Sequence, residues 1–398
     1  MKKPRPTFRM LDRLTRLPRY SLGWAALVVG SPGCRCEPSP AVNPPIASPT
    51  QASPASPDTL SSRCRPVSQG RSFTIPALGK GVSEEEERLR PFAVELGAAL
   101  RVGPGFAVTF TRGDGRQSQA GVAWLDASAG QGEVVDLTAI RGDGAPPRAA
   151  VSGDALVVAV MDNDAIGGAL RLAKVSRGQP ATWGAELDLG VDDSLAFELA
   201  LSGQRGLLVW DEWDKSKNES YISLSGFDVG RIADAAAPVR VSPAKVDAES
   251  PRLSAAKHGF WLAWISFTPV GESRKTPKAG QQVDEFQDLV EIRASAIQIM
   301  RLDPEGRPIG EALRVTPVDG YVSGFDLTTG PDESALVVWR AAQSSPGIQG
   351  GVVSTTRLAL DGSFEAKFIE DQDIGSGVPS FLFDSEPKVG APNGWLVV

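Results

Sequence analysis

The sequence predicts an all-β chain, a β-propeller of four-stranded blades. A single strand-rich unit recurs every 50 to 60 residues, and its segments alternate apolar and polar residues. Glycine (42) and proline (31) also make up about 18% of the 398 residues, above the usual ~12%, which favours many turns and short strands.

The clearest part of the unit is a hydrophobic strand, read at GFAVTF (105–110), ALVVAV (155–160), RGLLVW (205–210), GFWLAW (259–264), SALVVW (334–339) and GWLVV (394–398). Its last positions, Phe110, Val160, Trp210, Trp264 and Trp339, lie 50, 50, 54 and 75 residues apart. An insertion at 266–290 accounts for the long interval. A strand precedes it at PRAAVS (147–152), FELALS (197–202), PRLSAA (251–256), FDLTTG (325–330) and PKVGA (387–391). A third, alternating strand follows at 169–175, 221–229, 292–303 and 351–362, and a short fourth at 185–190, 239–243 and 313–317. Four strands bounded by Gly, Asp and Pro turns fit one propeller blade, whereas a β-sandwich domain needs twice the length. Six blades are expected, the sixth incomplete at Val398 or closed by a strand within 71–100, with SFTIP (72–76) the candidate.

Ahead of the repeats the composition changes. Seven basic residues and one acid occupy the first 33 positions, and Ser21 to Gly30 form an apolar stretch too short to span a bilayer. This reads as an export signal over 1–33. Removing it takes the net charge from −7 to −13, a balance that excludes nucleic acid as a partner. The segment Val29-Gly30-Ser31-Pro32-Gly33-Cys34 resembles a bacterial lipobox, which implies lipidation of Cys34 and an outer-membrane lipoprotein; periplasmic or secreted release is the alternative. Cys36 and Cys64 then remain as a disulfide pair. Residues 34–70 form a Pro/Ser-rich tether, with seven prolines in the 22 positions from 37 to 58. The propeller domain follows over 71–398.

The repeat, with Pro251, Gly259, Trp264, Gly306 and Pro317 as its best-matched positions, resembles propeller repeats in predicted lipoproteins and secreted proteins of Gram-negative bacteria. The likeness covers roughly residues 91 to 398. It implies architecture and assigns no chemistry.

Chemistry is expected on the loops joining second to third strands, since binding groups concentrate on loops carried by rigid scaffolds. Asp211, Glu212, Trp213 and Asp214 form the densest acidic cluster, whose carboxylates could serve as general acid and base. Asp162 and Asp164, with Gly167 behind them, could hold calcium, the one cofactor the sequence suggests. The insertion carries Arg274, Lys275 and Lys278 ahead of Phe286, a composition suited to a binding loop. The single histidine, His258, sits at a turn, and no zinc, phosphate-loop or nucleophile-elbow pattern occurs. The function expected is a non-catalytic, monomeric envelope module binding a protein or glycan through the loop face, touching a membrane only through its lipid. The alternative is a glycosidase-like enzyme using the loop carboxylates.

Overall fold

The computed structural model describes residues 94–113, 118–126, 132–140, 145–164, 167–190, 196–214, 216–269, 293–317, 320–342 and 351–369, with four short strands outside them. Two of the latter, β1 (Ala26–Val29) and β2 (Arg71–Thr74), pair antiparallel with each other. Residues 72–74 of the expected closing strand therefore pair with the apolar stretch near the amino terminus, while the described last strands pair with each other.

Five four-stranded antiparallel sheets follow in order. Blade one is β3 (Val94–Val102), β4 (Gly105–Gly113), β5 (Ser118–Leu125) and β6 (Gly132–Ile140). Blade two is β7 (Arg148–Ser152), β8 (Ala155–Asp164), β9 (Gly167–Ser176) and β10 (Thr182–Gly190). Blade three is β11 (Phe197–Ser202), β12 (Arg205–Asp214), β13 (Glu219–Asp228) and β14 (Val239–Arg240). Blade four is β15 (Asp247–Ala256), β16 (Gly259–Pro269), β17 (Arg293–Leu302) and β18 (Pro308–Arg314). Blade five is β19 (Val322–Thr329), β20 (Ala335–Ala342), β21 (Gly351–Leu358) and β22 (Phe364–Ile369). A two-stranded sheet, β23 (Phe381–Leu382) with β24 (Leu396–Val397), stands where a sixth blade is expected. Among the described residues the one helical element is a 3-10 turn, Val229–Arg231. The architecture is the expected β-propeller.

Each sheet runs in chain order, and the first strands touch in series, β3 to β7 to β11 to β15 to β19. They line the central axis while the fourth strands form the rim. The repeated core position explains how blades stack. Strands alternate their side chains between two faces, so residues two apart point to the same neighbour. Trp210 packs against Val157 and Leu170 of blade two, Trp264 against Leu207 and Val209 of blade three, and Trp339 against Ala263 and Ile299 of blade four. Trp210 and Trp264 are wholly buried, and truncating either to alanine should cost about 3–5 kcal/mol. Trp124 is core too, packed with Val158 and Val175.

The expected insertion at 266–290 begins inside a strand. Strand β16 continues through Pro269, which pairs with Arg293, so residues 266–269 belong to the blade and the departure from the repeat begins at 270. Arg274, Lys275, Lys278 and Phe286 lie outside the described residues, as do Cys34, Cys36 and Cys64.

Candidate functional site

Alternation along β12 splits the acidic cluster. Asp211 faces blade four, while Trp210, Glu212 and Asp214 share the face toward blade two. Asp211 is buried and accepts backbone N–H groups from Ala196 at 2.9 Å and Ser250 at 3.0 Å. Ser250 has φ 56°, in a stretch where β15 slips register against β16. The carboxylate satisfies N–H groups that the irregular β15 leaves outside the ladder, so Asp211 is a structural residue.

Asp214 closes the hairpin. Its carboxylate accepts the Ser216 N–H at 3.0 Å and the Ser216 hydroxyl at 2.6 Å, and pairs with the Lys217 ammonium at 2.6 Å. Hydrogen bonding from Lys217, then from Ser216, holds its pKa well below the ordinary carboxylate range. A group so held is a poor proton donor near neutrality. The carboxylates of the 211–214 cluster thus diverge, and Asp211 and Asp214 hydrogen-bond the chain's own backbone.

Glu212 is placed differently. One of its oxygens accepts the Trp210 indole N–H at 2.6 Å, and the other accepts the Tyr221 hydroxyl directly across the ladder. Burial, then the hydrogen bond to Glu212, pushes the Tyr221 phenol above its usual pKa. Arg240 lies over the Tyr221 ring at 5.0 Å and pairs with Glu219. Trp213 is half-buried and pairs with Ser220 in the ladder.

The expected calcium loop is a strand end. Asp162 and Asp164 lie on β8, with Asp164 paired to Gly167 across the hairpin. The Asp162 carboxylate accepts from the Arg171 guanidinium at 3.1 Å. Among the described residues no group of three His, Cys, Asp or Glu is arranged to hold a metal ion. His258 is an exposed turn residue whose ring nitrogen lies 3.8 Å from Glu333.

Folding brings together a different set. Arg148, Glu198, Arg252 and Asp326 occupy one level on four successive axial strands, pairing with Ala159, Val209, Ala263 and Val338. Each partner immediately precedes the repeated core position, so all four charges sit toward the end bearing the β12–β13 turn. Each is partly buried, and Arg148 and Arg252 reach the following blade. Arg148 donates to the Phe197 carbonyl at 3.2 Å and lies 3.8 Å from the Glu198 carboxylate. Arg252 lies over the Phe325 ring of blade five at 5.7 Å. Glu198 and Asp326 each accept the N–H of the next residue, Leu199 at 3.2 Å and Leu327 at 2.9 Å. At this level of the axial strands cations and carboxylates therefore alternate from blade to blade.

Blade one breaks the series. Gly97 takes the place in a bulge where a Cβ would sit 2.3 Å from the Thr109 hydroxyl and 2.7 Å from the Pro147 carbonyl. The Thr109 hydroxyl donates to that carbonyl at 2.6 Å and accepts the Ala98 N–H at 2.9 Å. The four charged residues were overlooked in the sequence, yet a signal is present. The second position of the first strand reads Arg, Glu, Arg, Asp in P-R, F-E, P-R and F-D, continuing with Lys388 in the last unit.

No family model and no curated protein sequence matches the chain. Among solved structures it resembles the α-L-arabinofuranosidase of Fusarium graminearum in complex with an iminosugar inhibitor, at 8% identity and TM-score 0.47, over 74% of this chain and 85% of that one. It resembles the endo-arabinase of Bacteroides thetaiotaomicron at 11% identity and TM-score 0.37, over 63% and 87%. The β-propeller domain of the trilobed protease of Pyrococcus furiosus, with its open velcro topology, matches at 10% identity and TM-score 0.36, over 73% and 86%. At such identities the likeness is one of fold. The expectation of a non-catalytic binding module is corrected to this extent: several of these propellers are glycoside hydrolases, and their likeness to this chain is one of fold.

Proposed function

We propose that the chain is a glycosidase-like, carbohydrate-active hydrolase working at the loop-face mouth of the central channel. The observation supporting this reading is the set of Arg148, Glu198, Arg252 and Asp326 at one level of four axial strands. Cleaving a glycosidic bond takes two carboxyl groups, one to protonate the leaving oxygen and one to act as nucleophile or to activate water. Glu198 and Asp326 are the pair. One of them would protonate the leaving oxygen and the other act as nucleophile or base. Arg148 and Arg252 donate hydrogen bonds to sugar hydroxyls and orient the ring. Strands hold such groups more rigidly than loops do, which suits a reaction that depends on positioning.

Glu212 belongs to the same end of the molecule but has both oxygens engaged by Trp210 and Tyr221. In this reading it shapes the wall between blades two and three and takes no part in bond cleavage.

The test is turnover on a panel of aryl glycosides, arabinofuranosides and pyranosides both, together with plant polysaccharides. Wild type should hydrolyse at least one class. Glu198→Gln and Asp326→Asn should each lower kcat by at least about a hundredfold, the scale of general acid–base catalysis, with unchanged melting temperature. A wild type without turnover on the panel, or variants that turn over as fast as wild type, would overturn the proposal.

A further inference from the structure

We infer that the groove between blades one and two, at the rim strand β10, is a second site that binds a neutral sugar ring. An irregularity of that strand builds it. Trp183 pairs with Ala173 and Glu186 with Arg171, so three steps along β10 match two along β9. Side chains paired across a ladder share a face, and a strand without this bulge would send Trp183 and Glu186 to opposite sides. The bulge sets both on the face of Ala173, which packs with Val122 and Trp124 of blade one. Gly184 sits within it, where a Cβ would lie 2.6 Å from the Ile232 side chain. The next residue, Ala185, donates its N–H to the Ile232 carbonyl at 2.9 Å, which pins the bulge to blade three.

Comparison of successive blades isolates the unusual feature. At the repeated core position the ladder pairs are Phe110 with Gly121, Trp210 with Ser223, Trp264 with Gln298 and Trp339 with Ser354. Blade two instead pairs a small residue, Val160, with a long cation, Arg171. The Arg171 guanidinium lies over the Trp183 ring at 5.4 Å, and its side chain is 24% exposed. Trp183 is itself 39% exposed, Glu186 is exposed and Thr138 of blade one is half-buried. Together these residues line a cavity of about 170 Å³. Each group that a ligand would meet there is within reach of solvent.

The lining narrows the class of that ligand. Arg171 already pairs with Asp162 at 3.1 Å and stands opposite Glu186, so two carboxylates attend one cation, which disfavours anions. A hydrocarbon would strip water from the guanidinium and the carboxylate and return no hydrogen bond. A small cation would find Arg171 already seated over the indole. A donor in Arg171, an acceptor in Glu186 and a hydroxyl in Thr138, beside an exposed indole, match a ring with hydroxyls on its edge and C–H groups on its face. The volume falls below the ~300 Å³ of pockets that enclose a drug-sized ligand and suits one ring. The choice of sugar rests on the carbohydrate-directed function proposed above. The site itself stands on a rim strand, apart from the axial strands that carry Glu198 and Asp326.

Binding is measured on the Glu198→Gln/Asp326→Asn double variant, so that the outcome does not depend on turnover. The full chain is labelled with ¹⁵N in its indoles and titrated with methyl glycosides of neutral hexoses and arabinose, with glucuronate and with tetramethylammonium. One indole resonance, absent from Trp183→Phe, should shift saturably with a neutral methyl glycoside and not with the other two probes. Glu186→Gln, which keeps that resonance, should weaken binding about fivefold, the worth of one hydrogen bond. No shift with any neutral glycoside, or an equal shift with glucuronate or tetramethylammonium, would overturn the inference. Saturable binding here beside a wild type without turnover would sink the hydrolase reading and keep this site, whereas turnover without a shift would do the reverse.

Discussion

The carboxylate of Asp211 accepts the backbone N–H of Ser250 across the blade boundary at 3.0 Å, while its other oxygen holds the N–H of Ala196 at 2.9 Å. One buried side chain thereby ties the entry to its own blade to the first strand of the next. Asp211→Ala leaves both donors without that partner, which should cost about 2–4 kcal/mol. Calorimetry should show a melting temperature lowered by several degrees, with any glycoside turnover retained below the transition. An unchanged melting temperature would show that water replaces the carboxylate freely.

Two cross-strand pairs set an aromatic ring over a glycine. A Cβ on Gly206 would sit 2.2 Å from the Phe227 ring, and one on Gly121 would sit 2.3 Å from the Phe110 ring. Phe227 and Phe110 are fully buried, so neither ring can swing into solvent. Gly206→Ala should destabilise the fold by about 1–3 kcal/mol through overpacking, and adding Phe227→Leu should recover part of the loss. Urea unfolding of the single and double variants measures both terms. Equal stability of Gly206→Ala and wild type would mean that the blade widens without strain.

Tyr221 makes stability sensitive to high pH. Its folded pKa is raised, first by burial and then by the hydrogen bond to Glu212, whereas the unfolded phenol titrates near 10. Below about pH 10 both states are protonated and the contribution is fully present. Above it the unfolded chain loses the proton first, so stability falls as pH rises toward the folded value. Denaturant unfolding at pH 8 and 10.5 should show this loss in wild type and a smaller one in Tyr221→Phe. The same slope in both would assign the alkaline loss to other groups.

We propose that the chain is exported and lipidated at Cys34, which is tested independently of the fold. Metabolic labelling with a fatty-acid analogue should tag wild type and Cys36→Ser but not Cys34→Ser. Absence of label from all three would mean release without a lipid. Cleavage at that cysteine would also remove β1 (Ala26–Val29), the partner of β2 (Arg71–Thr74).

The architecture was legible in the sequence because it is written in short periods. Alternation along 105–110 or 205–210 decides which residues enter the core, and Asp and Gly turns end each strand within a few positions. The repeat placed Trp210, Trp264 and Trp339 at one core position, where they pack against the preceding blade. The candidate site was far less legible. Neighbours in sequence suggested a cluster of Asp211, Glu212 and Asp214, yet adjacent strand residues point to opposite faces, and Asp211 went to a different blade from Glu212. The charges at one level, Arg148, Glu198, Arg252 and Asp326, are separated by 50, 54 and 74 residues, and only the side-by-side packing of the first strands sets them there. The same holds for Trp264. Its burial follows from the repeat, whereas the partner of Ser266, two residues on, is the Ala296 carbonyl across the sheet. Local periodicity determined the blades, and packing between them determined which polar groups meet.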